Sequence, residues 1–317
     1  MNALRHGCLC LMTIVLVGLA PAFVHGQQEK TLTRENTASF LRIKQDRKGE
    51  PSAMQIAIVR YTSPKGNADY SVDLVGVVHI GDESYYDQLN DRFEHYDAVL
   101  YELVAPQKGM IPRRDQSSDN PLAVVLKMAT RLFGWKSQLD CIDYTPKNFV
   151  HADLTYAEMA EILRKRGDDA FTIGLSAVAD YLRQQNLQQQ HAAKAAPDPG
   201  PDLGELWSDP KALSKIKRVL ADQMTKAGDG SGFGPTLDTI LITDRNAACM
   251  KVLSEQIKAG KKRIAIFYGA AHMPDFEKRL KREYGMERQQ TEWLTAWDLR
   301  LRSIDLIDIL EVFFRED

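Results

Sequence analysis

Two short runs rich in apolar and β-branched residues, Gln55–Tyr61 and Tyr70–Val78, flank Ser63-Pro64-Lys65-Gly66-Asn67, which is turn chemistry, so the pattern predicts a β-hairpin. After His79 the period lengthens. Asp82 can cap a helix in which Tyr86, Leu89 and Phe93 recur at helical spacing, and Asp97 ends it. Ala98–Leu103 is a compact apolar run interrupted by Glu102. Strand, helix and strand within about 35 residues are the grammar of a βαβ unit.

The middle of the chain reads differently. Residues 105–235 hold few strand-like runs. Pro121–Phe133 and Thr155–Lys165 read as helices, the second opened by the capping box Thr155-Tyr156-Ala157-Glu158. Gln184–Pro201 is rich in Gln, Ala and Pro and reads as a mobile segment, and Gly228–Gly232 as a flexible joint. This region is expected to be a helical insertion that contributes no strand to the sheet. Sheet patterning resumes late. Leu237–Ile257 is an amphipathic helix and Arg263–Tyr268 a buried-type strand. A helix opens at Pro274 and stops before Gly285, and Thr291–Leu299 is a final strand. Ile304, Ile307, Leu310 and Phe314 form a terminal helical stripe. The fold class that follows is α/β: a mixed central sheet with flanking helices and a helical insertion at about 105–235, all in one domain over 51–317. No internal repeat of 20–50 residues is visible, which excludes a solenoid.

Residues 1–26 read as a secretory signal, with Arg5 ahead of the apolar run Leu9–Phe23 and cleavage expected after Gly26. The alternative is an uncleaved N-terminal anchor. Residues 27–50 are polar and read as a tail leading into a short helix. Export to the periplasm or outside the cell is the expectation, with no stable membrane span after cleavage. An oxidising compartment leaves Cys141 and Cys249 either joined as a disulfide or buried as thiols. With 317 residues, 44% hydrophobic and 26% charged, the chain is long enough for a sizeable core, and its formal net charge of −2 gives no basic face for nucleic acid.

Candidate chemistry lies where the apolar strands end. Gly76-Val77-Val78-His79 and Gly269-Ala270-Ala271-His272 are both Gly-x-x-His, each between a strand and a helix. Glu102 stands in Val99-Leu100-Tyr101-Glu102-Leu103-Val104, where a carboxylate is costly to bury unless paired or metal-bound. Ligands of open α/β sheets bind outside the carboxyl ends of the strands, so parallel neighbours would bring His79, Glu102 and His272 to one mouth. Two imidazoles and a carboxylate form a ligand set for a divalent ion such as zinc, manganese, cobalt or iron, which acidifies water for hydrolysis. The competing reading makes each histidine a structural hydrogen-bonder. Arg245, beside Asp244 and Asn246, either holds a substrate carboxylate or oxyanion or pairs on a helix face. His151 and Asp153 read as structural, at the entry to the helix that the capping box opens; His95 and His191 read as exposed and irrelevant. There is no phosphate loop, HExxH, Gly-x-Ser-x-Gly elbow or dinucleotide fingerprint.

Taken in order, Gly76–His79, Tyr101-Glu102-Leu103, Arg245-Asn246 and Gly269–His272 resemble the TraB/PrgY/GumN/TIKI superfamily, which groups with erythromycin esterase and ChaN-like proteins. The resemblance covers about residues 70–105 and 237–290. It implies a mixed α/β fold of two related halves with helices between them, and a metal-dependent hydrolase or peptidase. In it His79, Glu102 and His272 hold the metal, Arg245 lines the site, and the substrate is a peptide or small molecule. Its pheromone-disabling and haem-binding members imply a second possibility, a non-catalytic protein for a peptide, haem or other small ligand. A third reading, an interaction protein without catalysis, expects Glu102 paired to Arg245. The sequence departs from the family pattern in carrying Val77-Val78 before the first histidine and Met273-Pro274 after the second.

Overall fold

The computed structural model describes residues 40–63, 69–112, 130–167, 209, 211–227 and 242–302. The expected signal, the Gln184–Pro201 segment, the Gly228–Gly232 joint, the terminal stripe and most of Pro121–Phe133 lie outside those residues. The described elements are β1 (Leu41–Gln45), β2 (Pro51–Thr62), β3 (Ser71–Val77), β4 (Ile80–Gly81), α1 (Glu83–Phe93), β5 (Ala98–Tyr101), β6 (Lys136–Ser137), α2 (Gln138–Cys141), β7 (Phe149–His151), α3 (Tyr156–Arg166), α4 (Ala212–Ala227), α5 (Asp244–Lys258), β8 (Arg263–Gly269), a 3₁₀ turn (Ala270–His272), α6 (Met273–Tyr284) and β9 (Glu287–Asp298).

A mixed sheet forms the centre. β2 pairs antiparallel with β9 along its length on one side; on the other it pairs with β1 over its first half and β3 over its second, both antiparallel. From β3 the sheet continues in parallel through β8 and β5 to β7. Both faces are covered, as parallel strands require. Along β8, Ala265 and Phe267 point to one core with Tyr85, Leu89 and Phe93 of α1. Ile264, Ile266 and Tyr268 point to a second core with Cys249 and Leu253 of α5 and Phe276 and Leu280 of α6. This period-two alternation between two apolar faces explains why the strand reads as a near-continuous hydrophobic run.

The hairpin β2–β3, the helix after His79 and the late strand and helix form as their patterns predict. Asp82 occupies the N-cap position of α1, but its side chain does not cap; it accepts the Asp298 backbone amide at 2.7 Å. Other expectations need correction. Residues 41–45, read as tail, are β1, held by pairing with β2. Phe149–His151, inside the stretch expected to carry no sheet, is the edge strand β7, paired with β5. Three residues between turns are too few to show a period; the hydrogen bonds to β5 make them a strand. The βαβ reading of β3, α1 and β5 holds for the order of elements but not for adjacency, because β8 lies between the two strands. Cys141 and Cys249 are both free thiols. Among the described residues no helix is long and apolar enough to cross a membrane.

The glycine of the first Gly-x-x-His serves packing. A Cβ on Gly76 would stand 3.0 Å from the Ile56 side chain on β2 and 3.6 Å from Ala270. Gly76→Val overfills this contact, and an unfolding free energy lower by about 1–3 kcal/mol in urea denaturation is expected.

Candidate functional site at the carboxyl edge of the parallel strands

Four parallel strands bring their ends to one edge. His79 lies two residues beyond β3, Glu102 one beyond β5, Asp153 two beyond β7, and His272 closes the 3₁₀ turn after β8. The β3 end is fixed by two buried tyrosines of α1, whose hydroxyls donate to the Gly76 and Val78 carbonyls, each at 2.9 Å. α5 supplies Arg245 and Asn246 from its first turn.

The centre of this edge is a buried ion network. Arg245 donates through Nη2 to Glu102 Oε1 at 2.6 Å and to Asp153 Oδ2 at 2.5 Å, and its Nε reaches both Asp153 oxygens at 3.1 and 3.2 Å. The three side chains are 9%, 10% and 0% exposed for Arg245, Glu102 and Asp153. Glu102 Oε2 accepts the Gly269 amide at 2.7 Å, which ties the carboxylate to β8. Burial opposes ionisation of Glu102. The adjacent Arg245, followed by His272, His79 and the Gly269 amide, outweighs it and holds the carboxyl well below the usual range. Burial likewise opposes the charge on Arg245, and its two carboxylates outweigh that and raise it. The pairing of Glu102 with Arg245 is what the non-catalytic interaction reading expected of this residue.

Both histidines are fixed by carboxamides. Asn246 Nδ2 donates to the His272 carbonyl at 3.1 Å and to Asp275 Oδ2 at 2.9 Å. This turns its Oδ1 toward His272 Nδ1, 2.6 Å away, so Nδ1 carries the proton. The Nε2 lone pair of His272 then faces Glu102 Oε1 at 3.6 Å. Burial lowers the His272 pKa from 6.5 to about 4, with Glu102 opposing the shift, so the ring is neutral at pH 7. At His79 the same logic holds. Gln138 donates to the Tyr144 hydroxyl at 2.9 Å and accepts from His79 Nδ1 at 3.0 Å, which leaves Nε2 outside this bond. His272 is buried and His79 exposed.

This donor set suits a divalent cation in two respects. Each imidazole has Nδ1–H tied to an acceptor and Nε2 available, the arrangement of metal-ligating histidines. One guanidinium serves two buried carboxylates, and Lys108, which reaches the Asp153 carbonyl at 2.6 Å, is itself paired with Glu158, so negative charge is left over. In spacing the set is open: among the described residues no three His, Cys, Asp or Glu side chains are grouped closely enough to hold a metal ion.

Of the residues singled out in the sequence, Glu102, Arg245 and His272 are in direct contact, and His79 shares their edge. Arg245 is engaged by two carboxylates. Asp153, read as structural from the sequence, belongs to the cluster; the signal for it was a polar residue just past the short apolar run Phe149-Val150. His151 stays outside it, its Nε2 donating to the Leu103 carbonyl at 2.6 Å and its Nδ1 buried without a partner. His95 is exposed at the end of α1. Gln138 carried no signal in the sequence; Asn246 stood beside Arg245 in one of the four motifs, with no role of its own assigned.

Two outcomes follow. Arg245→Met leaves two buried carboxylates without their cation, and a loss of about 3–5 kcal/mol in chemical denaturation is expected. His272 has its folded pKa below its unfolded one, so its stabilisation is present above pH 6.5 and lost as pH falls through about 4. With chelator present, unfolding free energy should drop by up to about 3 kcal/mol between pH 7 and pH 4 on this account, and His272→Gln should flatten that slope. Glu102 acts with the same sign at lower pH. No family model, no curated protein and no solved structure matches this chain, so the site rests on its own geometry.

Proposed function

We propose that the chain is an exported metal-dependent hydrolase of TraB/GumN-like type that cleaves an amide or ester bond in a peptide or small molecule. The observation that carries this reading is the His272 Nε2 lone pair facing the ionised Glu102 carboxylate at 3.6 Å in a buried cluster with surplus negative charge. Two electron-rich groups set face to face in low dielectric repel each other, and a cation between them relieves that repulsion. His79, Glu102 and His272 would hold a divalent ion, which when bound makes water a nucleophile at neutral pH.

The remaining groups act by position. Asn246 and Gln138 keep the two imidazoles in the tautomer that leaves Nε2 open. Burial keeps His272 neutral at pH 7 and therefore able to bind rather than repel a cation. Arg245 keeps Glu102 ionised and oriented, and Asp153 keeps Arg245 in place. Because Arg245 is already held by two carboxylates, it is a positioning residue in this reading, not the oxyanion contact that its sequence suggested.

A second reading rests on the Glu102–Arg245 bond at 2.6 Å. A carboxylate already compensated by a guanidinium needs no metal, and this pairing is what the interaction protein without catalysis expects; a non-catalytic protein for a peptide, haem or other small ligand would use the same edge. Elemental analysis separates the two. Protein purified without chelator is expected to carry about one divalent transition metal per chain, lost in His79→Ala and in His272→Ala while circular dichroism stays native. Full metal content in the His79→Ala/His272→Ala double variant would sink the hydrolase reading. Wild type that stays metal-free after reconstitution with zinc, manganese and cobalt favours the binding protein.

A further inference from the structure

A polar cavity lies away from the strand-end cluster. It measures about 800 Å³, within the roughly 300–1,000 Å³ range of small-molecule sites, and none of His79, Glu102, Arg245 and His272 lines it. α4 meets the end of β9 here. Four basic side chains and three acidic ones line it, with Leu132, Phe133 and Leu213 as apolar wall. Arg300 and Arg302 share the carboxylate of Asp298. Asp82, the neighbouring acid, is already engaged by the Asp298 amide.

Neither lysine joins this pairing: Lys44 is exposed, and Lys217 is half-buried. Its Nζ stands 5.0 Å from the Trp135 ring centroid, and Trp135 stacks on Trp297 at 4.2 Å. Among the described residues the Lys217 side chain makes no hydrogen bond or ion pair. Burial lowers its pKa, and Asp82 and Asp298 oppose that only at longer range. An ammonium half removed from water, with no acceptor, at the wall of a cavity with three further basic side chains and an apolar side, is complementary to an anion with an apolar body.

We propose that this cavity binds a small organic anion, its carboxylate or phosphate head on Lys217 beside Arg300 and Arg302 and its apolar body against Phe133. Calorimetric titration of the full chain with phenyl phosphate, phenylacetate and neutral benzyl alcohol tests it. One or both anions should bind with a Kd of about 0.1–1 mM, the tighter one identifying the head group, and benzyl alcohol should not. Lys217→Gln should weaken binding about tenfold or more and Lys217→Arg should largely retain it. His272→Ala should leave it unchanged, which separates this site from the proposed metal site. No heat with either anion, equal heat with benzyl alcohol, or an affinity that Lys217→Gln leaves intact overturns the proposal.

Discussion

One guanidinium placed between two buried carboxylates is the constraint on which the carboxyl edge of this sheet depends. Arg245 reaches Glu102 after β5 and Asp153 after β7, and Glu102 in turn accepts the amide that ends β8. An ionised carboxylate cannot be left unpaired in a dry interior, so these contacts fix where three strand ends and the start of α5 sit relative to one another. The hydrophobic faces of the sheet place α5 against it, and the ion network sets the register of that packing at the top.

From this follows the state of the imidazoles. Asn246 is the next residue on α5 after Arg245, so the helix placement that pairs Arg245 with Glu102 also delivers the amide oxygen that accepts the hydrogen bond from His272 Nδ1. A single helix turn thus sets both the charge of the carboxylate and the tautomer of the histidine. The other imidazole has a separate support. His79 is held by Gln138 at the start of α2, reached through the small ribbon β4–β6, and it is exposed where His272 is buried. A cation at this edge would meet one rigid, desolvated donor and one at the solvent side.

The same sheet carries a separate polar cavity at the end of β9, beside the stacked pair Trp135–Trp297. Trp135 lies just ahead of the β6 strand and Gln138 just after it. The ribbon that supports His79 is therefore joined directly to the wall at which Lys217 stands, although the two groups of charges share no member.

What the sequence by itself determined is local: the period-two runs of β2, β3 and β8, the helical spacing of α1, the capping box of α3, and the polar candidates His79, Glu102, Arg245 and His272. Each of these is a property of neighbouring residues, which is why pattern and capping rules read them. The tertiary structure alone decided which strands lie side by side, and so which polar ends meet. β8, nearly two hundred residues after β3 in the chain, inserts between β3 and β5. β7 is three residues long and exists as a strand because β5 offers it hydrogen bonds, and Asp153 reaches the cluster only through that pairing. Whether Arg245 meets a ligand or a carboxylate, and which nitrogen of His272 holds the proton, turn on contacts across 92 and 26 residues of chain. Such long-range pairing leaves no periodic trace in the sequence, because it is selected by the shape and charge of the folded core.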